Sequence, residues 1–324
     1  MRRRQLLTML AGAGATLGVP RAGRTAPVHL GFVSGGDEKG AARFVAALRD
    51  GLAAEGYREP GSLTLDRVYA DYALDRIPAL VADLERRGVV LIVTHAAATP
   101  IIVKGARRVP VVYEFSADPV ASGIAKDLAH PLYNATGVTL MRAELNRKRL
   151  EFLHQTMPQA RRVAIIANPL HPGEPLERTE IAAEAKELGI AIPYFATPNR
   201  AALQRALDTI AADPPQAILA LSEGFVVENR AAIIDFAMQH RLPVVSGWAV
   251  MARSGALFTY GPRLARSYRR TSYFVGRILG GSKPEELPIE RPTVFELVIN
   301  LKTAKKLGLG IPNELLAHAD DAIE

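Results

Sequence analysis

The sequence predicts an α/β protein of two similar lobes, each built on a parallel sheet, with a ligand cleft between them. Three observations carry this. Short apolar runs alternate with amphipathic segments of helical period from Val28 onward, the pattern of βαβ units. The alternation starts afresh after Gly137-Val138-Thr139-Leu140 without sequence identity between the halves. A length of 324 residues suits two domains, each with a core of its own.

In the first half, Val28 to Val33 reads as a strand ending in Ser34-Gly35-Gly36-Asp37. Ala41 to Glu55 reads as a helix, with Phe44, Ala47, Leu48 and Leu52 on one face. Leu63 to Tyr69 alternates as a strand. Leu74 to Arg87 is a helix through Ile77, Leu80, Val81 and Leu84. Val89 to Val93 is a strand, Ala96 to Ala106 a short helix, and Val109 to Phe115 a buried strand.

In the second half, Glu144 to Met157, Leu176 to Leu188, Arg200 to Ala212 and Val226 to Gln239 read as helices. They are interleaved with strands Val163 to Ala167, Ala191 to Phe195, Ala217 to Leu221 and Pro243 to Ser246. The tail adds a strand at Gly255 to Tyr260, a helix at Leu264 to Leu279, a strand at Val294 to Leu301 and a helical segment from Thr303 to Leu307. A tail holding both helix and strand can recross between lobes. The expected division is residues 27–141 with about 262–288 in the first lobe, and 142–261 with about 289–324 in the second.

Residues 1–26 read as an export signal: Arg2-Arg3-Arg4, a modest apolar stretch from Leu6 to Pro20, then small residues. Paired arginines followed by Leu6-Leu7 resemble a twin-arginine signal, with a Sec-type signal as the alternative. Five arginines of this stretch account for most of the net charge of +7, so the remaining chain carries +2. No basic stripe is interleaved with aromatics, which argues against a nucleic-acid partner. Cysteine is absent, which excludes disulfides, thiolate metal sites, a cysteine nucleophile and a lipoprotein anchor. A soluble periplasmic protein is the expectation.

Catalytic motifs are missing. No GxGxxG, Walker A or GxSxG pattern occurs, and the seven histidines show no ligand spacing. No cofactor and no metal are expected. What remains is a set of polar signals at strand ends, where ligands are met in open α/β sheets. They are Ser34 and Gly35; Thr94, His95 and Ala96; Tyr113, Phe115 and Asp118; Asn168; Ser222 and Glu223; Trp248; and Tyr260. Taken singly, each reads equally as a cap, a turn or a core residue. Together they suit a zwitterion, with hydroxyls and helix N-termini for a carboxylate and Asp118 or Glu223 for an ammonium. Tyr113, Phe225 or Trp248 would meet an apolar side chain.

Four stretches carry a resemblance: LGFVSGG with FVAALRDGLAAEGY, PVVYEFSADPVASGIAKDLAHP with NATGVT, RRVAIIANP, and TYGPRLARSYRR with PIERPTVFELVINLKTAKKLGLGIP. They resemble the bacterial ABC-transporter substrate-binding proteins of tryptophan/tyrosine type, over essentially all of Val28 to Glu324. The resemblance implies the type I periplasmic binding fold, two Rossmann-like lobes with hinge crossovers that trap ligand by closure. It carries over Ser34, Thr94, Asp118, Ser222 and Tyr260 as ligand contacts, and it implies ABC permease subunits as partners of a monomeric receptor. Thr94-His95-Ala96-Ala97 departs from the Gly-Thr-Pro-type turn common there, and Glu223-Gly224-Phe225 falls at a variable position. The implied function is capture of an amino acid or related carboxylate for import. The alternatives are a receptor serving a signalling partner and an α/β enzyme using Asp118, Glu114 or Glu223.

Overall fold

The computed structural model describes residues 26–106, 108–140 and 142–324. The export-signal reading therefore lies outside the described residues but for Ala26. The first half contains β1 (Val28–Ser34), α1 (Glu38–Ala54), β2 (Leu63–Tyr69), α2 (Ile77–Arg86), β3 (Leu91–His95), α3 (Thr99–Gly105), β4 (Val111–Phe115) and β5 (Ala135–Thr139). The second begins with α4 (Arg142–Thr156), β6 (Val163–Ala167), α5 (Glu174–Leu188), β7 (Tyr194–Ala196), α6 (Arg200–Ala212) and β8 (Ala217–Ala220). It continues with α7 (Gly224–Glu228), α8 (Arg230–Gln239), β9 (Val244–Ser246), α9 (Ala249–Arg253) and β10 (Phe258–Pro262). The tail supplies α10 (Leu264–Leu279), β11 (Phe295–Asn300), α11 (Leu301–Leu307), α12 (Asn313–Ala317) and β12 (Asp321–Ile323).

The strands form two sheets, in the orders β2-β1-β3-β4-β5 and β12-β11-β10-β9-β8-β6-β7. The α/β class and the two lobes are as the sequence predicts. The first sheet is wholly parallel. The second has one exception, the antiparallel pair β10–β11.

Strand parity sorts the core of the first lobe. Ile92, Val111, Tyr113 and Phe115 face α2 and α3, while Leu30, Phe32, Leu91, Val93 and Val112 face α1 and α10. Helix α10 leaves the second sheet at Pro262 and packs on α1, β4 and β5 of the first. The chain then follows β5, where Glu290 N–H donates to the Gly137 carbonyl and Thr139 N–H to the Glu290 carbonyl, before returning to the second sheet as β11. The polypeptide thus crosses between lobes after Leu140, at Arg263 and again between Glu290 and Phe295.

Some expected elements are redrawn. The single helix expected over Val226 to Gln239 is two, because Asn229 Nδ2 donates to the Phe225 carbonyl 2.8 Å away and competes with the helix at that turn. The helices expected from Leu74 and from Ala96 each open with a 3-10 turn, and α-helix starts only where Pro78 and Pro100 take early helical positions. The strand expected at Ala191 to Phe195 begins at Tyr194, since Pro193 has no N–H to add to a ladder. That expected at Gly255 to Tyr260 is shifted to Phe258–Pro262.

Candidate functional site

The carboxyl ends of β1 and β3 in the first lobe face those of β6 and β8 in the second. Between them lies a cavity of about 770 Å³, counting the part open to solvent. Ser34, Gly35, His95 and Ala96 line it from one side, and Asn168 and Glu223 from the other. These six expected residues are brought together. Phe44, Tyr72, Leu74, Leu170, Phe225 and Glu228 are among the other residues of the wall.

Each polar group has a definable state. Ser34 Oγ accepts from Gly36 N–H at 3.1 Å and lies 3.1 Å from His95 Nε2. The His95 ring stacks on Phe32 at 5.5 Å between centroids and meets Phe44 at 4.6 Å. Burial among these rings lowers its pKa to about 4, so His95 is neutral at physiological pH. Glu223 closes α7 as its N-cap, its two oxygens accepting from Phe225 N–H at 3.0 Å and Val226 N–H at 2.6 Å. Asn168 Oδ1 accepts from Leu170 N–H, which makes the Asn168-Pro169 turn, and its amide reaches Glu223 at 3.4 Å.

Glu228, at the end of α7, differs from the other acids of the cavity. Burial pushes its pKa up to about 7, Asp37 adds to the rise and Arg43 opposes it. Its carboxylate lies against Gly40 on α1, where a Cβ would run into it. On the facing wall, Tyr72 and Ala96 hold left-handed backbone at φ 67° and 53°, a conformation non-glycine residues reach at a cost of about 1–3 kcal/mol. Tyr72 meets Phe225 of the opposite lobe edge-on at 6.5 Å.

The other expected residues lie elsewhere, for reasons of parity and local bonding. Tyr113 and Phe115 share the core face of β4 with α2 and α3 and do not line the cavity. Between them Glu114 points to the opposite face, where it accepts from Tyr268 Oη at 2.9 Å. Thr94 is buried behind the wall, its hydroxyl donating to the Val33 carbonyl. Asp118 caps its own turn through Val120 and Ala121 N–H and lines a neighbouring groove, which shares Leu74, Ala97 and Leu170 with the cavity. Ser222 accepts from Gly247 N–H at 2.6 Å inside the second lobe. Trp248 lines a separate groove beside Arg43 and Phe44, and Tyr260 packs on Phe152 and Phe295.

Sequence reasoning missed Glu228, Phe44 and Tyr72. Phe44 fits the apolar stripe of its helix and so reads as core. Tyr72 follows a strand end by three residues, and Glu228 closes the short helix that Glu223 caps, so both carry a positional signal without a motif.

The ABC transporter substrate binding protein family model matches residues 34–323, nearly the whole of the fold just described. This chain belongs to that family. Among its relatives is a tyrosine-binding protein of Clostridioides difficile, 18% identical over 272 residues, which are 82% of this chain and 75% of that protein. The ABC domain of a Streptococcus pneumoniae protein in complex with L-Trp superposes with a TM-score of 0.84 at 20% identity, over 92% of this chain and all of that one. A conserved domain protein from Vibrio cholerae gives 0.83 at 24% identity, over 91% and 99% of the two chains. As a substrate-binding protein, this family member has a small-molecule ligand and ABC permease subunits as its partners. No helix among the described residues is long and apolar enough to cross a membrane.

Proposed function

We propose that this chain is the extracytoplasmic receptor of an ABC importer, capturing an amino acid or related carboxylate by closing its two lobes and presenting it to the permease. The observation that carries this is the cavity between the lobes, walled by strand ends of both sheets and by aromatic rings. The names of its relatives add support, since one binds tyrosine and another was crystallised with L-Trp. The proposed lobes are 27–141 with about 262–288, and 142–261 with about 289–324, so that the three crossings serve as the hinge. Residues 1–26 would be removed as a twin-arginine-like export signal, leaving a monomeric periplasmic protein.

The chemistry proposed is binding alone. Of the acids that the enzyme alternative would use, Asp118 and Glu223 cap backbone N–H groups and Glu114 accepts from Tyr268 Oη. The test is a thermal-shift screen of residues 27–324 against the amino acids of proteins and small carboxylates, followed by calorimetry and by mass analysis of the recovered compound. A true ligand raises the midpoint by mass action and is returned unchanged. A panel with no response, or a ligand returned chemically altered, would sink the reading.

A further inference from the structure

Four carboxylates stand in or beside the cavity, and three are committed to backbone N–H groups. Asp118 holds the turn at Val120 and Ala121, Glu223 caps α7, and Asp37 caps α1 by accepting from Gly40 N–H at 2.7 Å. Through its carboxylate, Glu228 makes no hydrogen bond and no ion pair with any described residue. It also closes α7, a helix end where the backbone dipole gives a carboxylate no support. Its place is nonetheless a shaped one, because the missing side chain at Gly40 leaves the space that its Oε1 fills.

The groups facing Glu228 define what would satisfy it. Asp37 and Gly40 approach from the first turn of α1, and Arg43 from its next turn. Arg43 keeps its charge: burial and Arg230 lower its pKa, Glu228 raises it, and the two side chains form no ion pair among the described residues. Phe44, Tyr72 and Phe225 bring ring surfaces into the same cavity. His95, more than nine-tenths buried, spends Nε2 on Ser34 Oγ and leaves Nδ1 without a partner among the described residues. Half-buried carboxylate, aromatic rings and an unsatisfied imidazole nitrogen meet in a cavity whose own lining has no Lys or Arg. A protonated amine supplies both positive charge and N–H donors, and it gains from neighbouring ring faces.

We propose that Glu228 is the counter-ion for a protonated amine on the ligand, so that the cavity selects amino acids and amines over neutral polyols and amine-free carboxylates. This rests on the reading of the cavity as the ligand site, and it moves the ammonium contact from Asp118 and Glu223 to Glu228. Because an ammonium binds the ionised carboxylate, affinity rises as pH climbs through the Glu228 pKa of about 7. Between pH 6 and pH 8 the gain is about tenfold, the change in the ionised fraction. The amine itself stays protonated over that range.

The test is calorimetry of residues 27–324 and of the E228Q and E228D variants, with the amino acids of proteins, 3-phenylpropionate and myo-inositol as probes. Wild type should bind at least one amino acid, and at least tenfold more tightly at pH 8 than 3-phenylpropionate. E228Q should lose about tenfold or more of that affinity and its pH dependence, whereas E228D, which keeps the charge, should retain both in part. Matching thermal midpoints identify the loss as one of recognition. An E228Q affinity and pH profile equal to wild type overturns the proposal, as does binding of 3-phenylpropionate or myo-inositol without any amino acid. That last result leaves the receptor reading standing; silence from every probe removes the receptor reading, and this proposal with it.

Discussion

Ser116 Oγ lies 2.7 Å from His171 Nε2, joining the end of β4 in the first lobe to the loop after β6 in the second. His171 Nδ1 accepts from Gly173 N–H at 3.1 Å, so Nε2 carries the proton and donates to the serine. The bond is buried on both sides and ties the lobes together. Replacing Ser116 with Ala removes the acceptor, at a cost of about 1 kcal/mol to this arrangement of the lobes. The expected result is a larger radius of gyration without ligand by small-angle scattering and a several-fold weaker ligand affinity by calorimetry. Scattering and affinity both unchanged would show that the bond does not hold the lobes.

Gly40 lies in the first turn of α1 with the Glu228 carboxylate against it. Gly40→Ala favours the helix by up to about 1 kcal/mol, yet its Cβ displaces the carboxylate. Stability and binding should therefore part: a thermal midpoint equal to wild type or higher, with weaker binding of an amino-acid ligand. Concurrent loss of both would mean that the contact supports the fold.

Tyr113 carries a buried hydroxyl without a hydrogen-bond partner among the described residues, in an apolar cluster, and burial raises its pKa. Tyr113→Phe removes the polar group and keeps the ring. Chemical denaturation should find the variant equally stable, or more stable by about 1 kcal/mol. Ligand affinity should not change, because the residue faces α2 and α3. A clear loss of affinity would return Tyr113 to the binding wall.

His95 makes stability depend on pH. Its folded pKa of about 4 lies below the 6.5 of a free imidazole, so the unfolded chain binds a proton that the fold refuses. Stability is therefore full above about pH 6.5 and falls as pH drops toward 4, by about 3 kcal/mol in all. Glu228 acts in the opposite sense, since its folded pKa is raised to about 7 and protonation favours the fold as pH falls. Being partly open to solvent, it contributes less. Denaturation of E228Q between pH 7 and pH 4 should isolate the histidine, and E228Q combined with H95Q should flatten the decline. An equally steep decline in the double variant would assign the effect elsewhere.

Periodicity made the fold legible. Helices such as Arg200–Ala212 and Leu264–Leu279 match their expected bounds, because a single apolar stripe and clear ends define them. Breaks that depend on one side chain, like Asn229, leave no periodic trace. The strand-end rule placed Ser34, His95, Asn168 and Glu223 around one cavity. It could not tell which acid is already committed, since capping depends on backbone that only folding positions. Parity errors account for Tyr113 and Phe115: a strand buried on both faces does not announce which residue turns toward which helix layer. The recrossing of α10 was readable from the tail, but the antiparallel turn of β11 was not, because apolar runs carry no direction.

The path of the chain between lobes constrains the order in which the protein can be completed during synthesis. The first lobe is begun first, yet the core cluster that holds Leu48 and Leu52 of α1 lacks Phe274 and Val275 until α10 has been made. The second lobe likewise lacks β11, the strand that joins β12 to β10. A nascent chain stopped at residue 261 would hold two unfinished cores, and neither lobe could be released as an independent fragment. Residues 262–324 finish both together, which makes the pair a single unit of assembly.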